Sequence, residues 1–409
     1  MKTKPWFAGG LLAGAAMLAG CGEDAGDGTV QLEFFSNKTE NTGTYQALIE
    51  EFEEQHPGIE VNLYAPPDAE TVLRTRLVKD DMPDLLAIAG SALYGELVSA
   101  GMLQDYEGDP VLDNIQESYL GMLEELEGSD TPGIHGVPFA ANANTVIYNK
   151  EMMEELGGDI PETWDEFIEL LEMAEEAEEI PILFTLQEAW TIMPAWNALA
   201  GNLQPERFAE RKSEGELTFA NTHVEVTEKL EELLEYGHSR MHGIGYNDGN
   251  REFSQGNGLL YFQGNWAVPE ILSLNPDMEL GVFALPVTNN PEENKLVSGV
   301  DVLLTALEDT DHPEETDAFI SFLLEEGPST QYMEEQAAFS VLQGVVTDDP
   351  AMEGIADHFE NDQITSFPDH FYLPGMGVEN MVQGFTYGED RHEFLSQLDR
   401  TWDQIQLRY

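Results

Sequence analysis

Strand-like and helix-like segments alternate along the chain from residue 30 onward, and this alternation limits the possible folds more than any other feature. The run VQLEFFS (Val30–Ser36) predicts a strand. Residues 45–52 carry apolar side chains at the i, i+3, i+4 and i+7 positions of an amphipathic helix. Alternating apolar residues at 59–63 predict the next strand, and the apolar run within 83–90 predicts a strand buried on both faces. Elements in this order pack as a largely parallel sheet with helices on both sides, so the sequence predicts an α/β fold.

Helical patterns continue to the end of the chain. A capping box at Thr163 and Glu166 opens one helix, and apolar faces within 226–234, 318–323 and 394–405 mark three more. About 380 residues follow the amino-terminal segment, which is more than one hydrophobic core usually supports. The sequence contains no internal repeat and no low-complexity linker, so we expect two lobes joined by short, ordered crossings.

Residues 1–20 have the composition of a signal peptide. Two lysines precede an apolar run at 7–18, which is shorter than the roughly 20 residues that span a bilayer. Cys21 is the only cysteine of the chain and lies where a bacterial lipoprotein signal has its lipid-modified cysteine; a chance cysteine in an uncleaved signal is the alternative. We expect acylated Cys21 to anchor the protein to the outer face of the cytoplasmic membrane, on the periplasmic side in a Gram-negative source. Residues 21–28 are expected to form a flexible leash.

The chain is strongly acidic. It carries 79 Asp and Glu residues against 17 Lys and Arg residues, a formal net charge of −62. Nucleic-acid binding requires cations that neutralise phosphates, so this class of function is excluded, and long-range attraction of anionic substrates is disfavoured. The 42% hydrophobic content argues against disorder. Because salt screens repulsion between surface charges, we expect a folded protein from a halophilic or haloalkaliphilic source.

No motif in the sequence predicts catalysis or a cofactor. With 79 acids, carboxylate pairs occur by chance at every spacing. Ser91 lacks the second glycine of a nucleophile elbow, Asn380 replaces the last glycine of a dinucleotide loop, and residues 246–250 are too few for a calcium loop. His238 and His242 stand at i and i+4, but no third metal ligand is indicated, which favours structural histidines. We therefore predict no enzyme activity, no cofactor and no metal site.

The positions of the tryptophans are more informative about function than the search for catalytic motifs. Trp164 and Trp402 lie on apolar helix faces, which predicts core packing for both, and Trp196 in another predicted helix suits a core or a site equally. Trp190 and Trp266 each follow a strand-like run and a few polar residues. Ligands of doubly wound sheets bind outside the carboxyl ends of strands. Aromatic faces beside polar groups at such ends suit sugars, which have apolar C–H faces and a rim of hydroxyls.

These segments resemble a known family. Over nearly the whole mature chain, the sequence is similar to the extracellular solute-binding proteins of ABC importers, in the large carbohydrate-binding group related to maltose-binding protein. The markers, in order, are the lipoprotein signal, YQALIEEFEEQHPGIEV, MPDLLAIAGSALYGELVSAGML, GVPFAANANTVIYNKEMMEELGGDIPETWDEF, FSQGNGLLYFQGNWAVPEI, GVFALP and HPEETDAFISFLLEEGPSTQYMEEQAAFSVLQG. The resemblance implies a two-lobed periplasmic-binding-protein-like fold, each lobe a mainly parallel sheet flanked by helices, with a cleft that closes over a ligand.

The resemblance also implies where the chain crosses between the lobes. The first lobe is expected to comprise residues 29–139 with 284–326, and the second residues 140–283 with 327–409. Hinge crossings are expected at residues 139–143 and 280–285, with a third crossing between residues 325 and 343.

A ligand site follows from the same resemblance. Trp266 matches a tryptophan that stacks on the sugar in this family, and Trp190 matches an aromatic residue of the second lobe with the same role. The other expected site residues are Glu188, Phe35, Ser36, Asn37, Gly90, Ser91, Asn142, Asn265, Gly299 and Asp301. Each polar member could equally be a turn or cap residue. Many relatives have a tryptophan in the first strand, where this chain has phenylalanines, so stacking from the first lobe is a weaker expectation.

The sequence therefore predicts the lipid-anchored, non-catalytic binding subunit of an ABC transporter, which captures a di- or oligosaccharide between its lobes. The expected partners are the sugar, the membrane through the lipid anchor, and the permease, which recognises the closed form. We expect a monomer. Two alternatives stay open: a secreted hydrolase with a carboxylate pair across a similar cleft, and a binding protein for a non-sugar solute such as a peptide, a polyamine or an osmolyte.

Overall fold

Nine strands form one sheet within the described part of the chain. The computed structural model describes residues 29–39, 41–66, 69–79, 81–128, 131–343 and 349–407, so Cys21 and the predicted signal and leash lie outside the described residues. The strands are β1 (Val30–Ser36), β2 (Ile59–Tyr64), β3 (Leu85–Ile88), β4 (Val137–Asn149), β5 (Leu260–Gly264), β6 (Leu280–Phe283), β7 (Leu296–Ala306), β8 (Phe339–Ser340) and β9 (Ile364–Thr365).

Helices connect these strands and form most of the carboxy-terminal region. They are α1 (Thr42–Gln55), α2 (Ala69–Lys79), α3 (Ala92–Ser99), α4 (Glu117–Glu127), α5 (Lys150–Leu156), α6 (Trp164–Glu176), α7 (Met193–Leu203), α8 (Phe208–Ser213), α9 (Phe219–Thr222), α10 (Val224–Glu235), α11 (Tyr246–Ser254), α12 (Ala267–Leu274), α13 (Pro313–Leu323), α14 (Glu326–Gln336), α15 (Glu353–Glu360), α16 (Val378–Phe385) and α17 (Arg391–Gln406). Among the residues described, no helix combines the length and the apolar character that crossing a bilayer requires.

The amino-terminal elements follow the predicted alternation. β1 pairs in parallel with both β2 and β3. The face of α1 that carries Tyr45, Leu48, Ile49 and Phe52 is buried, as its spacing predicts. β3 is buried along its whole length, as expected for a strand that is covered on both sides. The predicted βαβ arrangement is therefore confirmed for this part of the chain.

Two long strands carry the chain through the middle of the sheet. The strand order is β2-β1-β3-β7-β4-β5, while β6 and β8 also pair with β4, and β9 pairs with β7. β7 runs antiparallel to β3 and to β4, and its register with β4 shifts on either side of Ala140. The later part of β4 pairs with β5 and β6 on its two sides, antiparallel to both.

Strand directions are therefore more mixed than the mainly parallel sheets expected for each lobe. Parallel pairing holds for β1, β2 and β3, and β5 and β6 run in the same direction as each other. β4 lies between β5 and β6 and runs the opposite way, because it arrives from the other half of the sheet. The α/β architecture is as predicted, and the crossing strands account for the antiparallel pairs.

Separate hydrophobic cores lie on the two sides of the crossing strands. The amino-terminal core packs α1 and α13 on β1 and includes Phe34, Phe319 and Tyr332, the last from α14. The carboxy-terminal core packs α6, α7, α10 and α17 together and includes Trp196 and Trp402. A third cluster, the central cluster, joins residues of β3, β4 and β5 to α3, α4 and α12. Each predicted helix face packs in one of these cores, although Ile168, Leu234 and Ala318 are only partly buried.

The predicted capping box begins α6. The Thr163 hydroxyl accepts from the Glu166 N–H at 3.3 Å, and the Glu166 carboxylate accepts from the Thr163 N–H at 3.1 Å. These two bonds satisfy amide groups that have no partner inside the helix. This prediction is confirmed.

Candidate functional site

The first predicted site residues lie at the carboxyl end of β1, and two of them are core residues. Phe35 is fully buried, and its ring meets Tyr64 edge-on at a centroid distance of 5.9 Å. Ser36 is also buried, and its hydroxyl accepts from the Lys38 N–H at 3.2 Å. Both faces of β1 are covered, so Phe34 and Phe35 pack into clusters on opposite sides of the sheet. The structure gives Phe35 and Ser36 packing roles, and their contact with a ligand stays a prediction.

Asn37 and Lys38 continue the chain beyond β1. The Asn37 N–H donates to the Ala87 carbonyl at 3.1 Å, whereas its Oδ1 is buried and has no hydrogen-bond partner among the described residues. The Lys38 ammonium forms an ion pair with Asp301 Oδ1 at 2.5 Å, and each of these side chains is 19% exposed. Sequence reasoning missed Lys38. The sequence did indicate this residue, because Lys38 is one of only 17 lysine and arginine residues and directly follows a predicted site strand.

Gly90 and Ser91 end the neighbouring strand, β3. The Gly90 N–H donates to the Val300 carbonyl at 2.9 Å, and a Cβ at Gly90 would lie 3.0 Å from Val300 Cβ, so β7 approaches closely because the residue is glycine. Ser91 occupies the N-cap position of α3 without a side-chain capping bond and is partly exposed. The segments that follow β1 and β3 thus contact the middle of β7: Lys38 pairs with Asp301, and Gly90 bonds to Val300.

The crossing strands contribute a second group. Asn142 of β4 and Gly299 of β7 are register partners, and Asn142 Oδ1 accepts from Asn265 Nδ2 at 3.0 Å. A Cβ at Gly299 would lie 2.5 Å from Phe367 Cδ2, so the Phe367 ring rests on the backbone of Gly299. Phe367 was not among the predicted residues. Its position beside the crossing depends on a contact between segments far apart in the chain.

Asn265 joins three segments at this crossing. Its side chain is fully buried; Oδ1 accepts from the Ala143 N–H at 2.8 Å, and Nδ2 donates to Asn142 Oδ1 and to the Ala337 carbonyl. Ala337 follows α14 with a left-handed φ of 48°. The Asn265 amide is therefore used in contacts within the protein, and its role as a ligand contact stays a prediction.

Trp266 lies between β5 and α12. A Cβ at Gly264 would fall 1.9 Å from Trp266 Cζ3, so the indole lies directly over that glycine. The Trp266 backbone is already helical, with φ −58° and ψ −25°, and its partly exposed side chain packs against the central cluster. Gly264 therefore provides the space for the ring, while the start of α12 fixes the backbone that carries it.

Trp190 forms a pair with a residue that the sequence did not single out, Tyr246. Trp190 is 37% exposed, and the two ring centroids are 5.0 Å apart at an angle of 57°. The Glu188 carboxylate accepts from the Tyr246 N–H at 2.9 Å and so fixes the start of α11 beside Trp190. Burial raises the pKa of Tyr246 to about 12, which keeps its hydroxyl protonated. Because Tyr246 and Trp266 both pack against the central cluster, all three rings lie on the same side of the sheet as α11 and α12.

The other tryptophans of the described ranges are core residues. Trp164 is 5% exposed and Trp402 is fully buried, which confirms the prediction for both. Trp196, for which two interpretations were open, is fully buried and stacks on His223 at a centroid distance of 5.8 Å. The packing interpretation therefore holds for Trp196.

His238 and His242 are used in separate contacts. His238 Nε2 lies 2.8 Å from the Phe184 carbonyl, and His242 Nε2 lies 2.9 Å from the Thr386 hydroxyl. In the described ranges, no three His, Cys, Asp or Glu side chains are placed to share a metal ion. Each histidine of this pair therefore has its own contact within the protein.

A groove of about 1220 Å³ lies apart from the predicted site residues. It runs between α3 and α4 on one side and α8 with residues 371–374 on the other, and none of the predicted site residues lines it. Its charged lining includes Glu124 and Glu125 together with Arg207. We place the candidate site beyond the carboxyl ends of β1, β3 and β5 instead, because the Lys38–Asp301 pair and Trp266 lie there, and Tyr246, the ring partner of Trp190, packs against the same central cluster as Trp266.

Sequence comparison relates the chain to binding proteins along most of its length. The profile of the bacterial extracellular solute-binding proteins matches residues 36–329. The multiple sugar-binding protein of Streptococcus mutans is 28% identical over 350 residues, which cover 82% of this chain and 81% of that protein. The melibiose/raffinose/stachyose-binding protein MelE of Bacillus subtilis is 21% identical over 344 residues, 81% of this chain and 78% of MelE.

Solved structures share the fold. The solute-binding protein RafE in complex with raffinose superposes with a TM-score of 0.79 at 24% identity, covering 92% of this chain and 100% of RafE. The apo form of RafE from Streptococcus pneumoniae gives a TM-score of 0.80 at 23% identity, with 93% and 98% covered. These likenesses confirm the two-lobed α/β fold. Since the family profile covers well over half of the sequence, the chain belongs to the bacterial extracellular solute-binding protein family.

Proposed function

We propose that the chain is the substrate-binding subunit of an ABC importer and captures a neutral di- or oligosaccharide between its lobes. The observation that carries this proposal is a set of partly exposed rings: Trp266, which follows β5 and lies over Gly264, and Trp190, which pairs with Tyr246. Such rings stack on the C–H faces of sugars, while polar groups such as those of Asn37 pair with hydroxyls. The names of the relatives from Streptococcus mutans and Bacillus subtilis support the same ligand class.

Contacts in the structure support two changes to the lobe boundaries proposed from the sequence. Tyr332 of α14 packs in the amino-terminal core, although the expected boundary after residue 326 assigns α14 to the second lobe. The Val341 carbonyl accepts from the Gln116 N–H at 3.0 Å, and the Gln343 N–H donates to the Asn114 carbonyl at 2.8 Å. These contacts support a first lobe that continues through α14, with the third crossing beyond Gln343. The hinge at 139–143, within β4, stays as proposed. Leu285 and Val287 pack in the carboxy-terminal core, which supports a second crossing within β7 rather than at 280–285.

Closure of the lobes is the proposed mechanism. The polar groups at the exits of β1 and β3 and the rings beside α11 and α12 would then contact the same sugar and exclude water. The ligand shifts an equilibrium between open and closed forms, and the permease binds the closed form. A site that hydrogen-bonds particular hydroxyls rejects analogues that lack them by large factors. No step of this mechanism breaks a bond in the sugar.

The proposal also includes a monomer held outside the cytoplasmic membrane by acylated Cys21, with a surface adapted to high salt. It rests on the lipoprotein-like signal and on the net charge of −62. Mass spectrometry of the membrane-extracted protein should find a lipid-modified Cys21 as the first residue. The unfolding midpoint should rise between low salt and molar NaCl, because salt screens carboxylate repulsion. An unmodified amino terminus would contradict the lipid anchor. An unfolding midpoint that does not change with salt would contradict the adaptation of the surface to high salt.

Calorimetric titration in molar NaCl tests the function. The probes are raffinose, stachyose and maltotriose, followed by chromatography of the recovered sugar. We expect saturable binding of at least one probe and its return intact. The appearance of cleavage products would identify the secreted hydrolase instead. Binding of peptides, polyamines or osmolytes in place of every sugar would identify a receptor for another solute.

A further inference from the structure

We propose that the ion pair between Lys38 and Asp301 determines the ligand class: it hydrogen-bonds neighbouring hydroxyls of a neutral sugar and excludes acidic sugars. This inference rests on the proposed function and narrows the substrate class of the same site. None of the relatives' names specifies such a charge preference.

The position of the pair is the first argument. Lys38 lies two residues beyond β1, next to Asn37, whose N–H bonds to Ala87 of β3. Asp301 lies in β7 next to Val300, which accepts the Gly90 N–H from the exit of β3. Ligands of open α/β sheets bind outside the carboxyl ends of parallel strands. The pair therefore occupies the edge of the sheet at which a ligand binds.

The second argument is unused hydrogen-bonding capacity. A lysine ammonium can donate three hydrogen bonds, and a carboxylate has about four acceptor positions. Within the described residues, the side chains of Lys38 and Asp301 bond to each other and to no other group. Asn37 Oδ1, in the adjacent residue, is buried and equally without a partner in the described part of the chain. Donors and acceptors for several ligand hydroxyls are therefore available at one place.

The third argument concerns energy. Each side chain of the pair is only 19% exposed, so both charges are partly removed from water. The desolvation cost of such a pair largely cancels its Coulomb attraction, and its net contribution to folding is small. Hydrogen bonds from charged groups to a ligand are stronger than those between neutral groups. The pair is therefore expected to contribute to ligand affinity more than to stability.

Charge selectivity follows from the neutrality of the pair. A vicinal diol offers one hydroxyl oxygen to the Lys38 ammonium and the proton of the next hydroxyl to the Asp301 carboxylate. A uronic acid would instead bring a second carboxylate beside Asp301, within a chain of net charge −62. Loss of the Asp301 charge alone would leave Lys38 as an uncompensated cation, which favours an acidic ligand.

The test compares raffinose with digalacturonic acid by calorimetry in molar NaCl, for wild type, Lys38→Met and Asp301→Asn. We expect wild type to bind raffinose in preference to digalacturonic acid. Lys38→Met should weaken raffinose binding about tenfold or more, the size of a lost hydrogen bond to a charged group. Asp301→Asn should weaken raffinose binding and shift the affinity ratio toward digalacturonic acid by about tenfold or more.

Matched controls are available on α17, where Arg400 and Glu393 form an exposed ion pair. Arg400→Met and Glu393→Gln change the net charge by the same amounts and should leave both affinities at the wild-type value. The double variant Lys38→Met/Asp301→Asn leaves no uncompensated charge. It should keep the wild-type unfolding midpoint and lose as much raffinose affinity as Lys38→Met.

Contrary outcomes separate this inference from the function on which it rests. Suppose that the pair variants fold and keep raffinose affinity within about twofold of wild type. This change is smaller than the loss of one hydrogen bond to a charged group, so the inference fails while sugar binding stands. Equal affinity of wild type for both ligands also overturns the inference. A wild-type protein that binds none of the neutral oligosaccharides overturns the proposed function and the inference together.

Discussion

Tryptophan occupies two contrasting regions of this molecule. In the carboxy-terminal core, Trp196 is fully buried, stacked on His223 and edge-on to Phe394. At the candidate site, Trp266 rests on Gly264 and stays partly exposed, and Trp190 is 37% exposed. Neighbours enclose the indole in the first region, whereas in the second the side chains stay partly accessible to solvent. We infer that core tryptophans supply stability and candidate-site tryptophans supply affinity, and substitutions can separate the two.

Removal of the core ring should have the largest effect. Trp196→Ala deletes a fully buried side chain, so we expect the free energy of unfolding to fall by about 3–5 kcal/mol. Urea unfolding in molar NaCl measures this loss. The fraction that stays folded should bind raffinose with wild-type affinity. A stability loss below about 1 kcal/mol, typical of exposed positions, would show that the ring is not part of a packed core.

Acid should destabilise the same core through His223. Burial lowers the pKa of His223 from 6.5 to about 3, so the ring stays neutral in the folded state and takes up a proton when the chain unfolds. Its contribution to stability is therefore complete above pH 6.5 and falls by about 1.4 kcal/mol per pH unit as the pH drops toward 3.

The measurement is urea unfolding of wild type and His223→Phe at pH 6.5, 5.5 and 4.5. Titration of the surface carboxylates affects both proteins equally, so it cancels in the difference between them. We expect the stability of wild type relative to His223→Phe to decrease by about 2–3 kcal/mol over this range. Parallel pH profiles would mean that His223 is protonated inside the folded protein without penalty.

Removal of the Trp266 ring should have the opposite pattern to Trp196→Ala, with a large effect on sugar affinity and a smaller one on stability. Trp266→Ala should weaken raffinose binding by about 2 kcal/mol, roughly 30-fold, as expected for a central aromatic contact. The free energy of unfolding should change less than in Trp196→Ala, because the Trp266 side chain is only partly buried. Tyr387→Ala removes a 65% exposed aromatic ring elsewhere and serves as the control. Unchanged affinity with a large loss of stability would assign Trp266 to the core.

Features set by neighbouring residues were predictable from the sequence. The bounds of β1, the buried face of α1 and the capping box of α6 agree with prediction, because each depends on periodicity or on residues three to four positions apart. Trp164 and Trp402 were assigned to the core for the same reason. Local rules correctly predicted a strand, β5, before Trp266, whereas the strand-like run before Trp190 forms only an isolated bridge at Ile182.

Features set by distant contacts were not predictable in the same way. Burial of Phe35 depends on helices that cover both faces of β1, and the role of Asn265 depends on Ala143 and Ala337, 122 and 72 residues away. Lys38 and Asp301 are 263 residues apart in the sequence, so no local sequence pattern predicts their ion pair. The antiparallel direction of β4 likewise follows from the crossing between lobes. In each case the deciding information is which segments the fold brings together.

A single added methyl group should produce the smallest effect and the sharpest test of the strand-exit region. A Cβ at Gly264 would lie 1.9 Å from Trp266 Cζ3, so Gly264→Ala must displace the indole from its position. We expect raffinose binding to weaken about tenfold, with a smaller loss of stability than in Trp196→Ala. Gly327→Ala is the matched control, because a Cβ there has nothing within 4 Å. If Gly264→Ala folds and binds raffinose like wild type, the position of the Trp266 ring over this glycine does not determine affinity. The contrast between the two regions would then rest on Trp190 and Tyr246 alone.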